Sequence, residues 1–148
     1  MFLAADTPGK EGKMDKLEQA REMFAKDRFA TEQTGAVVEE VTPNHAKCSM
    51  KITEKHRNAY GSVMGGAIYT LADFAFAVAS NFEQEKACVS ITGNAVFLSA
   101  SRGSILYAEA DLLKDGKNNC FYEVNVYDDL DRRIAVVTFT GAHVPFPA

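Results

Sequence analysis

The feature that most constrains the fold of this sequence is a long apolar run interrupted by one carboxylate. Two glycines, Gly65 and Gly66, precede residues 67–79, and Asp73 is the only charged residue in that run. The run predicts a helix that is buried around most of its circumference, and it is too short to span a membrane. An ionised Asp in such surroundings needs hydrogen-bond partners, an altered pKa or an opening to a ligand. Asp73 is therefore the first candidate for a functional residue.

The two glycines predict a second functional feature at the start of the same helix. The first N–H groups of a helix have no partners within the helix, and they lie at the positive end of its dipole. Because glycine has no side chain, Gly65 and Gly66 let a ligand approach these donors closely. An anion, or an oxyanion that develops during a reaction, can bind there.

The rest of the chain predicts one α+β domain. Apolar spacing predicts an amphipathic helix over about residues 14–29. Alternating or β-rich segments predict strands at 36–41, 46–53, 87–98, 104–113, 120–127 and 134–144. We expect a mostly antiparallel β-sheet wrapped around one long central α-helix, plus the short N-terminal helix. The domain is expected to span residues 13–148, after a flexible N-terminal lead at 1–12.

The central helix is more apolar than a single sheet face requires. Part of its surface is therefore expected to meet a second subunit, so that the protein is at least a dimer.

Composition and charge narrow the possible partners. The net charge of −4 gives no overall attraction to nucleic acid or to an anionic membrane, so neither is expected as a partner. The N-terminus lacks the pattern of a secretory signal, which favours a cytoplasmic location. The cysteines Cys48, Cys88 and Cys120 are expected to be buried free thiols. His45 and His143 have no ligand partner at metal-site spacing, so no metal site is expected.

One motif carries a resemblance to a known family. The string Asn58-x-x-Gly61-x-x-Met64-Gly65-Gly66-x-x-x-x-Leu71-Ala72-Asp73, together with the element order, resembles the PaaI-like branch of the hotdog-fold acyl-CoA thioesterases. The strand segments 89–100, 103–110 and 134–141 extend the resemblance more weakly. It implies a hotdog fold, a homodimer that assembles further to a homotetramer, and no cofactor apart from the coenzyme A of the substrate.

The resemblance also implies roles for individual residues. Asp73 corresponds to the family's catalytic carboxylate, which acts either as a nucleophile or as a general base for water. The resemblance implies three further catalytic residues: the loop amide Asn58, the oxyanion-hole N–H of Gly65, and Ser90, whose hydroxyl orients water. The expected substrate-binding residues are Tyr60, Met64, Gly66 and Arg102, with Arg102 placed where family members often contact the phosphates.

Met64 departs from the family pattern. The family usually has His immediately before the glycine pair, and Met64 cannot donate a hydrogen bond to a thioester carbonyl or orient Asn58 in the same way. A thiolate is already a good leaving group, so hydrolysis does not require a strong general acid.

An alternative function is a non-catalytic hotdog protein that binds acyl-CoA or another apolar ligand. A hotdog dehydratase would need a His on the helix, and the helix has none.

Helix geometry predicts that the site is shared between subunits. Asp73 lies eight residues beyond Gly65, which corresponds to roughly 12 Å along the axis. Attack requires the acid or its water within about 3.5 Å of a carbonyl carbon whose oxygen lies about 3 Å from the N–H donor. One helix cannot satisfy both distances. We therefore expect a neighbouring subunit to supply the Gly65 donor for hydrolysis of a small, medium or aryl acyl-CoA.

Each of these residues also has a structural interpretation. Asp73 can cap a helix kink or bond a strand amide, and Asn58 can simply be a turn residue. The glycine pair can serve close packing, and the Ser90 hydroxyl can bond a neighbouring strand. Arg102 can be a solubilising charge. His56, two residues before Asn58, is expected to be solvated in its loop.

Overall fold

The computed structural model describes residues 14–148, so the expected flexible lead at 1–12 lies outside the described residues. This described part contains two α-helices, α1 (Lys16–Phe24) and α2 (Gly65–Asn81). The strands are β1 (Ala36–Thr42), β2 (His45–Lys51), β3 (Ala87–Phe97), β4 (Ile105–Asp115), β5 (Asn119–Asp128) and β6 (Arg133–Val144). A π-helical turn covers Phe29–Gln33 and a 3₁₀ turn covers Glu54–His56.

The six strands form one antiparallel sheet in the order β1-β2-β4-β5-β6-β3. Consecutive strands are joined as hairpins except around β3, which follows α2 in the chain and pairs with β6 at the edge of the sheet. Every predicted strand is found within two residues of its expected bounds. The long helix and the antiparallel sheet predicted from sequence are therefore confirmed.

Helix α2 is the centre of the core. Leu71, Ala72 and Val78 are completely buried against the sheet, and Phe76 stacks on Phe139 with 4.6 Å between ring centroids. One face of α2 stays open in the single chain, where Gly66 and Asp73 are exposed and Tyr69, Thr70 and Ala77 are half-buried. No helix in residues 14–148 is both long and apolar enough to cross a membrane.

Helix α1 is shorter than the predicted 14–29. Asp15 begins it, because the Oδ1 atom accepts a hydrogen bond of 2.8 Å from the Glu18 N–H. The helix ends at Phe24, whose ring packs edge-on against Phe74 at 6.4 Å. The Asp27 N–H then bonds the Phe24 carbonyl at 3.0 Å, a tight turn that redirects the chain into the π-helical turn. Local apolar spacing did not reveal this interruption.

All three cysteines are buried and free, as predicted. The Sγ atoms of Cys88 on β3 and Cys120 on β5 lie 2.9 Å apart, although strand β6 separates their backbones. The thiols meet over Gly141 of β6, where a Cβ atom would collide with both sulfurs. Burial raises the pKa of the Cys48 and Cys120 thiols.

The Asp128 carboxylate joins the loop before β4 to the turn between β5 and β6. It is fully buried and accepts the backbone N–H groups of Arg102 and Gly103 on one oxygen and those of Leu130 and Arg132 on the other, each at 3.0 Å. Burial alone would raise the pKa of this carboxyl, but the four N–H donors outweigh burial and lower the pKa to about 2. The loop that carries Arg102 is thereby tied to the turn between β5 and β6.

We predict that Asp128→Asn destabilises the protein by about 3 kcal/mol at neutral pH, because an amide NH₂ would face backbone donors. The folded-state pKa of Asp128 lies below its unfolded value, so its contribution to stability is complete above about pH 4 and falls away toward pH 2. Urea unfolding of the variant should accordingly depend less on pH in that range. Asp131→Asn, in the same turn and exposed, is the control; equal losses in both variants would contradict the assignment.

Candidate active site

The start of α2 presents unpaired N–H donors, as the sequence predicts. Met64 precedes the helix without a capping bond from its side chain. Among residues 14–148, neither Gly65 nor Gly66 has an acceptor for its backbone N–H. A Cβ atom on Gly66 would meet only the flexible side chain of Met64, at 3.8 Å, whereas a Cβ atom on Gly65 would lie 3.0 Å from the ring of Phe97. Gly65 therefore has a packing reason to be glycine in addition to the donor that it exposes.

Asn58 shapes the loop that leads into α2. Its Oδ1 atom accepts the N–H groups of Tyr60 at 3.0 Å and Ser62 at 3.1 Å, which supports the structural interpretation of a turn residue. The side-chain NH₂ has no acceptor within the described part of the chain, so Asn58 can still donate to a ligand. Tyr60 is 94% exposed in this loop, and Met64, which immediately precedes α2, is 58% exposed.

The prediction that His56 is solvated is wrong. The side chain is buried; its Nδ1 atom accepts the Thr53 N–H at 2.9 Å, and its Nε2 atom donates to the Thr34 carbonyl at 2.8 Å. His56 also accepts the Met64 N–H through its own carbonyl at 2.7 Å. The imidazole thus links the segment before β1 to the loop before α2. His56 and Thr34 are 22 positions apart in the sequence, so the residues of the loop alone could not predict this contact.

A cleft of about 380 Å³ opens beside Gly65. It is lined by Ser62, Val63, Gly65, Ile68 and residues 97–101. Arg102 follows this wall directly and is exposed, and its guanidinium has no hydrogen-bond or ion-pair partner within residues 14–148. The loop that carries Arg102 is held by Asp128 through the Arg102 backbone N–H at 3.0 Å.

Asp73 opens into a different cleft of about 490 Å³. Residues 27–30 form one wall, and Tyr69, Thr70, Asp73, Phe74 and Ala77 form the other. The Asp73 carboxylate has no hydrogen-bond donor among the described residues. Burial raises the pKa of Asp73, and the negative charge of Asp27 raises it further. Of the three possibilities that the sequence left open, the structure shows an opening and an altered pKa.

The predicted site residues therefore fall into separate groups in one chain. Asn58, Met64, Gly65 and Gly66 lie together at the start of α2, with the Arg102 loop beyond the neighbouring cleft. Asp73 lies in the other cleft, and Ser90 is exposed on the edge strand β3 and lines neither of the two.

The wall of the cleft that faces Asp73 was not predicted from the sequence, and it includes a second carboxylate, that of Asp27. Asp27 comes from the segment after α1 and lies across from Asp73 only because Phe24 packs on Phe74. Its neighbours in the sequence are charged and gave no signal of a site.

A polar cluster on the sheet also went undetected. Glu40, His45 and Glu109 place possible ligand atoms within 4.8 Å of one another, and Asp111 holds the His45 Nδ1 atom at 2.7 Å. Strand pairing, and not sequence spacing, brings these residues together. The expectation that no metal binds stays a prediction.

Comparison with known proteins identifies relatives of this chain. The thioesterase superfamily matches residues 60–135. A protein of Archaeoglobus fulgidus, provisionally named an esterase, is 30% identical over 129 residues, which are 86% of this chain and 83% of that protein. Human acyl-coenzyme A thioesterase 13 is 33% identical over 86 residues, which cover 57% of this chain and 61% of the human protein. The structure of the PaaI protein of the E. coli phenylacetic acid degradation operon aligns with a TM-score of 0.79 at 23% identity, over 87% of this chain and 94% of PaaI.

The chain belongs to the thioesterase superfamily. The predicted resemblance to PaaI-like hotdog thioesterases and the hotdog fold are both confirmed. The protein is a thioester hydrolase by its family.

The two glycines predict different responses to a methyl group. Gly66→Ala should fold normally and gain up to about 1 kcal/mol, because alanine favours a helix and the added Cβ meets only Met64 at 3.8 Å. Gly65→Ala should be about 1 kcal/mol less stable than Gly66→Ala, because Phe97 must move. Thermal unfolding measures the difference. It should vanish when both substitutions are compared in a Phe97→Ala background; a difference that persists there would show another cause.

Proposed function

We propose that this protein hydrolyses an acyl-CoA to a free acid and coenzyme A, at a site composed of the Asp73 cleft of one subunit and the Gly65 N–H of another. The observation that carries the proposal is that the acid and the N–H donors lie at separate places along one helix. Among residues 14–148, the Asp73 carboxylate has no hydrogen-bond donor in one cleft of α2, and the N–H groups beside another cleft, eight residues away, have no acceptor. The two halves suit one thioester only if they come from different chains.

The open surfaces of the chain support a homodimer. Strand β3 is one of the two edge strands of the sheet, and it exposes large apolar residues, among them Ile91 at 58% and Phe97 at 53%. An unprotected apolar edge favours pairing with another strand. Phe97 of β3 lies against Gly65, and Gly93 of β3 lies against Tyr69 of α2. A partner that covers β3 is therefore placed beside the open face of α2 as well. Assembly of such dimers into a homotetramer belongs to the same proposal.

The reaction follows from the chemistry of the two halves. The Gly65 N–H of the second subunit donates to the thioester carbonyl oxygen and stabilises the negative charge that develops there. Asp73 either takes a proton from the attacking water or attacks the carbonyl carbon itself, forming an anhydride that water then opens. The carbon–sulfur bond breaks, the thiolate leaves and takes up a proton, and the free acid remains. Asn58 donates to the substrate or to Asp73, and Ser90 orients the water.

The walls of the Asp73 cleft favour a compact or aromatic acyl group. Phe29, Tyr69 and Phe74 line it, and Phe29 is 66% exposed. Aromatic side chains offer flat apolar contact to an acyl chain or to a ring. The name of the human relative, an acyl-coenzyme A thioesterase, supports coenzyme A as the carrier. The proposal needs no cofactor besides the coenzyme A of the substrate. It retains the expectations of a cytoplasmic location and of no nucleic-acid or membrane partner.

Met64 supports a second candidate function. An exposed thioether stands where the family usually has His, so the site lacks that hydrogen-bond donor. A protein that binds acyl-CoA without turning it over would raise its melting temperature with the ligand and release no thiol. A rise in melting temperature without thiol release would show that the protein binds acyl-CoA and does not hydrolyse it.

The proposal predicts that Asp73→Asn loses thiol release by about 100-fold or more while the dimer stays folded. Native protein and variant are assayed over acyl-CoAs of increasing chain length and over aryl acyl-CoAs. Equal turnover by the two proteins would end the assignment of Asp73.

A mixed dimer tests the shared site directly. One chain carries Asp73→Asn and the other carries Gly65→Pro, which removes the N–H at a first helical position where proline is tolerated. Met64 already has the extended backbone (ψ 137°) that a following proline requires. Each homodimer should be inactive, whereas the mixed dimer retains one native site and about half of the native rate. A mixed dimer without activity would show that Asp73 and Gly65 act within one chain.

Arg102 is proposed to contact the phosphates of coenzyme A. We predict that Arg102→Gln raises KM about threefold to fivefold without changing kcat, because an exposed ion pair contributes at most about 1 kcal/mol. The difference in KM should shrink in high salt, which screens exposed charges. Lys86→Gln, an exposed cation just before β3, is the control. If both variants raise KM equally, the effect is one of overall charge and not of a phosphate contact.

A further inference from the structure

We propose that Asp27 is a positioning residue of the Asp73 cleft, which acts on the reaction through the negative charge that it places opposite the Asp73 carboxylate. The inference rests on the proposed function, because it assigns a consequence to a charge near the proposed catalytic acid. Neither the family motif nor the sequence pattern includes Asp27.

The fold places Asp27 at the cleft by a specific contact. Phe24, the last residue of α1, packs edge-on against Phe74 at 6.4 Å, and both rings are buried. Phe74 directly follows Asp73 in α2. The turn after Phe24 therefore starts beside the acid, and residues 27–30 become the wall of the cleft that faces α2.

The backbone around Asp27 holds this position without using its carboxylate. The Asp27 N–H bonds the Phe24 carbonyl at 3.0 Å, and the Asp27 carbonyl accepts the Thr31 N–H at 3.0 Å and its hydroxyl at 3.1 Å. No hydrogen bond or ion pair occupies the Asp27 carboxylate within residues 14–148. A substitution that keeps the backbone can therefore change the charge alone.

The charged and titratable groups of the cleft leave the two acids unneutralised. Arg28 is the cation of the Asp27 wall, and its guanidinium lies 3.9 Å from Glu32 on the same exposed segment. The α2 wall contributes Asp73 and Tyr69. Burial and then the Asp73 charge raise the pKa of Tyr69, so Tyr69 stays neutral near pH 7. The charge on the opposite wall that changes the Asp73 pKa is thus another carboxylate.

A like charge has a definite effect on a catalytic carboxylate. As nucleophile or as base, Asp73 must be ionised to react. The negative charge of Asp27 disfavours that form and raises the pKa of Asp73, in addition to the effect of burial. The carboxylate that does form is a stronger base, but it exists only at higher pH. Asp27 would therefore raise the acidic limit of the activity beyond the effect of burial.

The test compares native protein with Asp27→Asn, Asp27→Glu and Glu22→Gln. Glu22 is exposed on α1 and lies outside the cleft, so Glu22→Gln makes the same change in total charge. Two quantities are measured from about pH 3 to 8. One is kcat/KM for an acyl-CoA substrate, and the other is the titration of the Asp73 carboxyl carbon by NMR, assigned by its loss in Asp73→Asn.

With Asp27→Asn, both the acid limb of kcat/KM and the NMR titration of Asp73 should move to lower pH. Asp27→Glu should restore the native profile, because it keeps the charge, and Glu22→Gln should not move it. An Asp73 titration that is unchanged in Asp27→Asn, or that Glu22→Gln shifts equally, would overturn the inference. If native protein releases no thiol from any acyl-CoA, the proposed function fails, while the NMR titration still decides the role of Asp27.

Discussion

The rigidity of helix α2 is the constraint on which the other features depend. Buried residues along the length of α2 pack against the sheet, so the distance between the two ends of the helix is fixed. Gly65 at the first turn and Asp73 two turns later are fixed roughly 12 Å apart. A helix that serves as the core can thus present both groups that are proposed for catalysis, but it presents them at different places. In the proposed function, the buried helix that stabilises the fold is also the reason why one chain alone does not form a complete site.

In the proposed dimer, each chain supplies the N–H donor for its neighbour's acid and the acid for its neighbour's N–H donor. The α2 face that contains Gly66 and Asp73 is open, and the adjoining edge strand β3 displays apolar side chains such as Ile91 and Phe97. Burial of such an edge removes apolar surface from water, which is the main favourable contribution to association. Phe97 also lies against Gly65. A substitution or a new contact at Phe97 would therefore also change the surroundings of the Gly65 N–H donor.

Most of the fold could be predicted because its signals are local. The apolar run of α2 and the alternation in the strands depend on neighbours within a few residues, and both are found where expected. The same holds for Asp73 and the glycine pair, which share one helix. What sequence could not show depends on distant pairing. His56 is buried through Thr34, α1 ends early because Phe24 meets Phe74, and Asp27 reaches the cleft through that same contact.

The buried thiols have a practical meaning for experiments on this protein. Cys48, Cys88 and Cys120 are enclosed, and burial holds Cys48 and Cys120 in the protonated form, which is a poor nucleophile. A colorimetric reagent for thiols should react with them slowly in the native state, so coenzyme A set free by catalysis would be seen against a low background. Once the chain opens, the same three sulfurs become reactive. One reagent can then report turnover in the folded enzyme and, after heating or addition of denaturant, the fraction that has unfolded.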